Sequence, residues 1–367
     1  MAATFDFQAH QARSRRATSL FVTAFLGMAA AIAMVVGVVA GFALGPERPG
    51  SGTEAPAAAL GHALDPTVVA AAAGITMAVI VGVALLRLIT FGGDGARVAR
   101  ALGAEEITED TRNPYKRRYL NVVEEMAIAA ALPRPRIFVL RHEDGINAFA
   151  AGDDPERAAV AVTHGALAKL TRAELAGVVA HELAHIRNRD TRLNMRLMAM
   201  VFGLVALYVL GRIALRSVAF RGRRGRGAAP VLLIGLALLV LGLLGALFGR
   251  ILQSAVSRRR EYLADATAVE FTRNPTGLAN ALKKIGATGA GSRVRNSHAE
   301  EARHMFFAQA SASMAGLFAT HPPLIERIRA LEPQFDPQTD EIWAKNDKAI
   351  LWDARKELGP WASAGSP

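Results

Sequence analysis

The chain has 367 residues, of which 51% are hydrophobic, and it carries a formal net charge of +11 and no cysteine. The positive mean hydropathy indicates a membrane protein with a substantial soluble part. The absence of cysteine excludes disulfides and thiolate metal ligands. The basic residues flank apolar segments, so the charge predicts a membrane-associated protein and no nucleic-acid partner.

Two uncharged apolar runs, Leu20–Leu44 and Val68–Leu86, open the chain, and each is long enough to cross a hydrocarbon layer of about 30 Å as a helix. The first run exceeds the ~7–15-residue core of a signal peptide, so we expect an uncleaved hairpin over residues 1–91 rather than a removed leader. Arginines precede the first run and follow the second, whereas the intervening loop has only Arg48. This asymmetry predicts a cytoplasmic amino terminus and a cytoplasmic soluble region.

Residues 92–194 form the first predicted soluble segment. Pro114–Ala131 has the apolar spacing of a helix, and Pro135–Leu140 and Ala158–Thr163 have the composition of strands. Asn147–Ala151 is expected to form an edge strand of the same small sheet. An exposed edge strand can bind an extended peptide as one more strand.

The sequence His181-Glu182-Leu183-Ala184-His185 is the most informative motif. It lies in a predicted helix over Arg172–Asn188, for which Thr171 and Glu174 provide a capping box. Residues at i and i+4 share one helix face, so both imidazoles can reach one metal ion with a carboxylate beside them. The pattern indicates a zinc hydrolase, and a chance match is the alternative.

A second pair of apolar runs, Leu197–Leu215 and Ala228–Gly249, occupies residues 195–252. The loop between them is rich in arginine, which conflicts with an external position if both runs cross the membrane. Two interpretations remain, namely two forced crossings or a hairpin that inserts without crossing. We favour the crossings and therefore predict about four transmembrane helices.

Glu261 and Asp265 also have i, i+4 spacing on a predicted helix, within a second soluble segment over residues 253–333. One carboxylate can bind the metal while the other holds a ligand imidazole by its second nitrogen. The alternative is an ordinary charged helix face. Helices are also expected near Pro275–Ile285 and Pro323–Leu331, with a mobile loop over 286–301 and a polar tail over 334–367.

The motifs HELAHIRNRD and EYLAD resemble those of the HtpX family of bacterial membrane zinc metalloproteases, relatives of the CAAX prenyl endopeptidases. The Asn147 motif and His321-Pro322-Pro323, followed by Arg327, are similar to further motifs of that family. The resemblance implies a mainly α membrane protein with an α+β, zincin-like (gluzincin) catalytic domain and a small sheet with an edge strand. It also implies one zinc ion bound by His181, His185 and Glu261.

The resemblance further implies residue roles around that ion. Glu182 would be the general base, and Asp265 would hold a ligand histidine. His321 and Arg327 would stabilise the oxyanion, and the substrate edge would be formed by Asn147, Ala148 and Phe149. Without the resemblance, Asn147 could be a turn residue, His321 a helix cap and Arg327 a surface residue.

Together these features predict a membrane-bound zinc endopeptidase at the cytoplasmic face of the bacterial inner membrane, acting in quality control of membrane or misfolded proteins. Its expected partners are polypeptide substrates and the lipid bilayer, with no oligomeric state specified. The alternatives are a catalytically silent peptide-binding scaffold and a prenyl-peptide processing protease.

Overall fold

A computed structural model describes residues 7–44, 65–90, 93–221, 228–288, 321–345 and 349–350. The expected mobile loop lies almost entirely outside these residues, as does most of the polar tail. In chain order the elements are α1 (Phe7–Leu44), α2 (Pro66–Thr90), α3 (Gly95–Ala101), β1 (Glu105–Glu106), α4 (Pro114–Ala129), β2 (Arg136–Leu140), β3 (Ala148–Ala151), β4 (Ala159–Thr163), α5 (His164–Lys169), α6 (Arg172–Arg187), α7 (Asp190–Arg221), α8 (Ala228–Thr272), α9 (Pro275–Ala287) and α10 (Leu324–Leu331).

The described residues of the chain divide into two compact units, which lie within the following ranges. The helical unit comprises Ala12–Phe91 and Met195–Val256. The sheet unit comprises Met1–Gln11, Gly92–Asn194 and Ser257–Pro367. Helix α7 therefore begins in the sheet unit and continues in the helical unit, and α8 runs the opposite way.

Four helices of the described chain are long and apolar enough to cross a membrane. They contain the segments Val22–Leu44, Pro66–Thr90, Asp190–Val218 and Ala228–Thr272. The prediction of four long apolar helices is confirmed. Helices α7 and α8 are longer than the apolar runs that predicted them. Polar helical turns extend α7 at both ends, from Asp190 to Arg221, and extend α8 past Gly249 to Thr272.

Glycines permit close helix packing inside the helical unit. A Cβ atom built on Gly37 would lie 2.6 Å from the carbonyl oxygen of Val69, and one on Gly203 would lie 2.4 Å from that of Ile80. Helices α1 and α7 therefore approach α2 at distances that exclude any side chain at these positions.

The sheet unit contains a mixed four-stranded sheet with the order β1-β2-β4-β3. Strands β2 and β4 are parallel, whereas β1 and β3 pair antiparallel with their neighbours. The expected strands and the edge position of β3 are confirmed. Helix α3 and the two-residue β1 were not expected from the sequence.

Both faces of the sheet are covered, so its strands alternate between two cores. One face packs with α4 and α6 through residues that include Val139, Ala148 and Val162. The other packs with α3 through residues that include Phe138 and Phe149. All four side chains of β3 are consequently buried, although the strand is at an edge.

Helix α6 has the predicted capping box, in which Thr171 and Glu174 each bond the backbone of the other. Its Gly177 allows a close approach of α9, because a Cβ atom there would lie 2.7 Å from the backbone nitrogen of Leu278. The helix that carries the motif is therefore fixed by its cap, by α9 and by the sheet.

Candidate metal centre

Helices α6 and α8 bring together two imidazoles and one carboxylate. One ligand atom from each of His181, His185 and Glu261 lies within 4.8 Å of the other two. The Nε2 atoms of the two histidines are 3.0 Å apart. Nε2 of His181 is 3.6 Å from Oε2 of Glu261, and Nε2 of His185 is 3.5 Å from its Oε1.

The opposite nitrogen of each imidazole faces a buried aspartate. Nδ1 of His181 is 2.8 Å from Oδ1 of Asp265, and Nδ1 of His185 is 2.9 Å from Oδ2 of Asp190. Donation of the Nδ1 proton to a carboxylate leaves the Nε2 lone pair available to a metal and fixes the ring orientation. The sequence led us to expect one such aspartate, Asp265, and the structure has two.

Asp190 was not identified as a functional residue in the sequence analysis, although it ends the quoted motif HELAHIRNRD. It is 1% exposed and is the first residue of α7. Arg189, between α6 and α7, has a φ of 58°. This left-handed residue changes the chain direction directly after the motif helix, and Asp190 then contacts His185.

The donor set fits a divalent metal ion. Burial alone would lower the pKa of both imidazoles, but hydrogen bonds to carboxylates outweigh it and raise the pKa of His181 and, more strongly, of His185. The surrounding carboxylates therefore favour positive charge at this cluster. In addition, Oε2 of Glu261 is buried and makes no hydrogen bond within the described structure. Two imidazoles and one carboxylate are a common ligand set of catalytic zinc.

Glu182 is 1% exposed and lies next to His181 on α6. Burial raises the pKa of its carboxyl group, while the neighbouring histidines oppose the shift. Its Oε1 atom is buried and has no hydrogen-bond partner among the described residues. A carboxylate in this environment has an elevated proton affinity and a free acceptor atom, which are the properties required of a general base.

His321 is buried beside Glu261, the third candidate ligand. Its Nδ1 atom is 2.9 Å from Oε2 of Glu261. The two atoms are near enough for an ion pair, but they do not form a hydrogen bond. The Nε2 atom of His321 also has no hydrogen-bond partner within the described residues. Helix α10 has Pro323 at its cap position without a side-chain bond, so His321 does not cap it.

Arg327 is fully buried and forms a bidentate ion pair with Asp265. Its Nε atom donates to Oδ2 at 2.9 Å and its Nη2 atom donates to Oδ1 at 2.6 Å. Nη1 also lies 3.4 Å from Oε2 of Glu261. The alternative of a surface arginine is therefore excluded, because the exposed fraction of this residue is 0%.

Asn147 precedes β3 and is 1% exposed. Its backbone nitrogen donates to Oγ1 of Thr163 at 2.9 Å, which links the start of β3 to the end of β4. The side chains of Ala148 and Phe149 are in opposite cores of the sheet. Any contact of these two residues with a peptide must therefore use their backbone atoms.

Comparison with known proteins identifies the family of the chain. Residues 115–334 match the model of peptidase family M48. The chain therefore belongs to this family of metal-dependent proteases, and its apolar helices make it a multi-pass membrane protein.

Individual proteins with names are also similar to this chain. A protease HtpX homolog of Thermoanaerobacter pseudethanolicus is 43% identical over 219 residues, which are 58% of this chain and 70% of the relative. One from Ligilactobacillus salivarius is 40% identical over 280 residues, 75% of this chain and 90% of the relative. The crystal structure of S. mikatae Ste24p has a TM-score of 0.45 and 17% identity, covering 70% of this chain and 58% of that protein. The expected HtpX resemblance is confirmed.

Proposed function

We propose that the protein is a zinc endopeptidase that hydrolyses internal peptide bonds of membrane or misfolded proteins. The observation that carries this proposal is the pair of Nε2 atoms 3.0 Å apart beside the carboxylate of Glu261. Each imidazole is oriented by an aspartate on its other nitrogen. His181, His185 and Glu261 would hold the ion, which would polarise the scissile carbonyl and lower the pKa of a water molecule to about 7.

Glu182 is assigned to proton transfer. Its buried carboxylate has a free oxygen and a raised pKa, so it can accept the proton of the attacking water. It then donates that proton to the amine of the leaving peptide. Because Glu182 lies on the same helix as His181 and His185, its carboxylate would stay beside the ligand histidines during both proton transfers.

His321 is assigned to the oxyanion. Its ring nitrogens have no hydrogen bond to the described residues, and it lies against Glu261. An imidazole N–H in this position can donate to the negative charge that develops on the scissile carbonyl oxygen. The Asn147 segment would hold the substrate, with the backbone of β3 pairing with an extended peptide.

Arg327 receives a different role from the oxyanion contact implied by the family resemblance. Two of its nitrogens already donate to Asp265, and the side chain is fully buried. We assign it to hold Asp265 and, through that aspartate, the ligand histidine His181. Asp265 in turn would keep His181 in the tautomer that presents Nε2 to the ion.

The proposed location is the cytoplasmic face of the bacterial inner membrane, and the proposed role is quality control of membrane proteins. The basic residues that flank the first apolar hairpin support a cytoplasmic sheet unit. The motif helix is followed, after Asn188 and Arg189, by a helix with a membrane-length apolar segment. Peptide hydrolysis would therefore occur in a chain anchored where membrane substrates are found.

Cleavage by purified protein tests the proposal. Wild-type protein with zinc should cut an unfolded membrane protein in detergent at internal bonds, as read by mass spectrometry of the products. Glu182→Gln should abolish cleavage, whereas the exposed Glu125→Gln should retain it. A wild-type protein that binds the substrate without cutting it would favour the silent scaffold. Cutting restricted to prenylated peptides would favour the prenyl-peptide protease.

A further inference from the structure

Asp190 divides its carboxylate between two partners. Oδ2 lies 2.9 Å from Nδ1 of His185. Oδ1 accepts a hydrogen bond from Nη1 of Arg260, which also lies 3.5 Å from the carbonyl oxygen of Asn188. The carboxylate is 1% exposed, so both contacts are shielded from solvent and only weakly screened.

Arg260 belongs to a different helix and immediately precedes the proposed metal ligand Glu261. It is 70 residues away from Asp190 along the chain. The segment of the sheet unit that starts at Gly92 ends at Asn194, and the chain returns to this unit at Ser257. The Asp190–Arg260 ion pair therefore joins the point where the chain leaves the sheet unit to the point where it returns. Asp190 contacts His185, and Arg260 is adjacent to Glu261 in the sequence.

This arrangement gives the two residues a common effect on His185. A carboxylate that accepts from Nδ1 fixes the tautomer and the ring plane, and loss of such a partner typically weakens metal binding by about 10–100-fold. Arg260 holds that carboxylate in place and compensates the cost of burying its charge. Arg260 also fixes the α8 turn that carries Glu261 against the start of α7.

We propose that Asp190 and Arg260 form a positioning pair that orients the ligand His185 and holds the α8 turn bearing Glu261 beside it. The inference rests on the proposed metal centre. Neither residue contacts the reacting atoms, so both act through the ligands. The pair would keep the two halves of an interrupted site in register.

The zinc affinity of the purified full-length protein, measured by competition with a chelator, tests this role. Asp190→Ala should bind zinc about 10–100-fold more weakly than wild type. Asp190→Asn should lose less, because its amide oxygen can still accept from Nδ1. Asp190→Ala combined with Arg260→Ala should be no weaker than Asp190→Ala alone, because the arginine acts through the aspartate.

Arg134→Ala is the matched control, since Arg134 pairs with Glu109 and Glu124 at the surface of the same unit. It should leave zinc affinity unchanged. Visible absorption of the Co²⁺-loaded proteins provides a second readout, in which Asp190→Asn and Arg260→Ala should shift the bands and Arg134→Ala should not. Asp190→Asn decides the question if Asp190→Ala does not fold.

Two failures are distinguishable. Wild-type protein that takes up neither zinc nor Co²⁺ would refute the proposed metal centre itself. Wild-type protein that binds zinc, together with Asp190→Asn and Arg260→Ala variants of unchanged affinity and unchanged Co²⁺ spectrum, would overturn only the positioning pair.

Discussion

Arg327 donates to both carboxylate oxygens of Asp265, at 2.9 and 2.6 Å, while the same carboxylate accepts from Nδ1 of His181. His185 has an equivalent chain through Asp190 to Arg260. Each proposed histidine ligand is thus the first member of an imidazole–carboxylate–guanidinium series. The two series explain why so many charged groups are buried here without being isolated.

Removal of the Arg327 guanidinium should strongly destabilise the protein. Arg327→Ala leaves the carboxylate of Asp265 buried beside Glu261, and the free energy of unfolding should fall by about 3–5 kcal/mol. Arg327→Lys should recover only part of this loss, because lysine lacks the bidentate geometry. Urea titration of the metal-free protein in detergent measures both changes.

The matched control is Arg157→Ala, which removes an exposed arginine that pairs with Asp153 at 2.8 Å. Exposed pairs contribute about 1 kcal/mol or less, so this variant should remain close to wild type. Equal losses for Arg157→Ala and Arg327→Ala would contradict the assigned role of Arg327.

The contact between α6 and α9 should not tolerate a side chain at Gly177. The Cβ atom of Gly177→Ala would come within 2.7 Å of the backbone nitrogen of Leu278, and backbone atoms cannot move away easily. We expect a loss of about 1–3 kcal/mol in the free energy of unfolding, despite the better helix propensity of alanine. Gly27→Ala, inside α1, has nothing within 4 Å of its Cβ and should therefore cost no stability, because alanine favours the helix and meets no neighbour. A neutral Gly177→Ala would show that the two helices pack less closely.

Much of the site could be predicted because its signals are local. The capping box of Thr171 and Glu174 and the i, i+4 histidines require only one regular helix, and α6 has both features. Strand β3 was recognisable from a short apolar segment after Asn147. In each case a few neighbouring residues determine the structure.

The remaining features depend on contacts distant in sequence. Arg258, Arg259 and Arg260 are chemically identical in the sequence, and only the rotation of α8 against α7 selects Arg260 for Asp190. The role of Arg327 depends on a partner 62 residues away. Helix α3 is short and is stabilised by the sheet face that it covers, so its own sequence carries little signal.

The orientation of the second hairpin gives a separate prediction. The chain has no cysteine, so Gly225→Cys introduces a unique thiol between the two apolar segments. If both apolar segments cross the inner membrane, the introduced cysteine lies outside it. An impermeant thiol reagent should then label this cysteine in cells with a permeabilised outer membrane and an intact inner membrane. Glu156→Cys, exposed on the sheet unit, should react only after lysis. Reaction of Gly225→Cys only after lysis would exclude the two crossings.

Zinc content measured together with proteolysis tests the central claim most directly. Wild type and Glu182→Gln should each bind one zinc ion per chain, and only wild type should cleave an unfolded membrane protein. Glu261→Gln should lose most of its zinc and all cleavage, because its amide is a poorer ligand than the carboxylate of Glu261. Unimpaired cleavage by Glu182→Gln, or full zinc binding and activity in Glu261→Gln, would contradict the assignment of these residues.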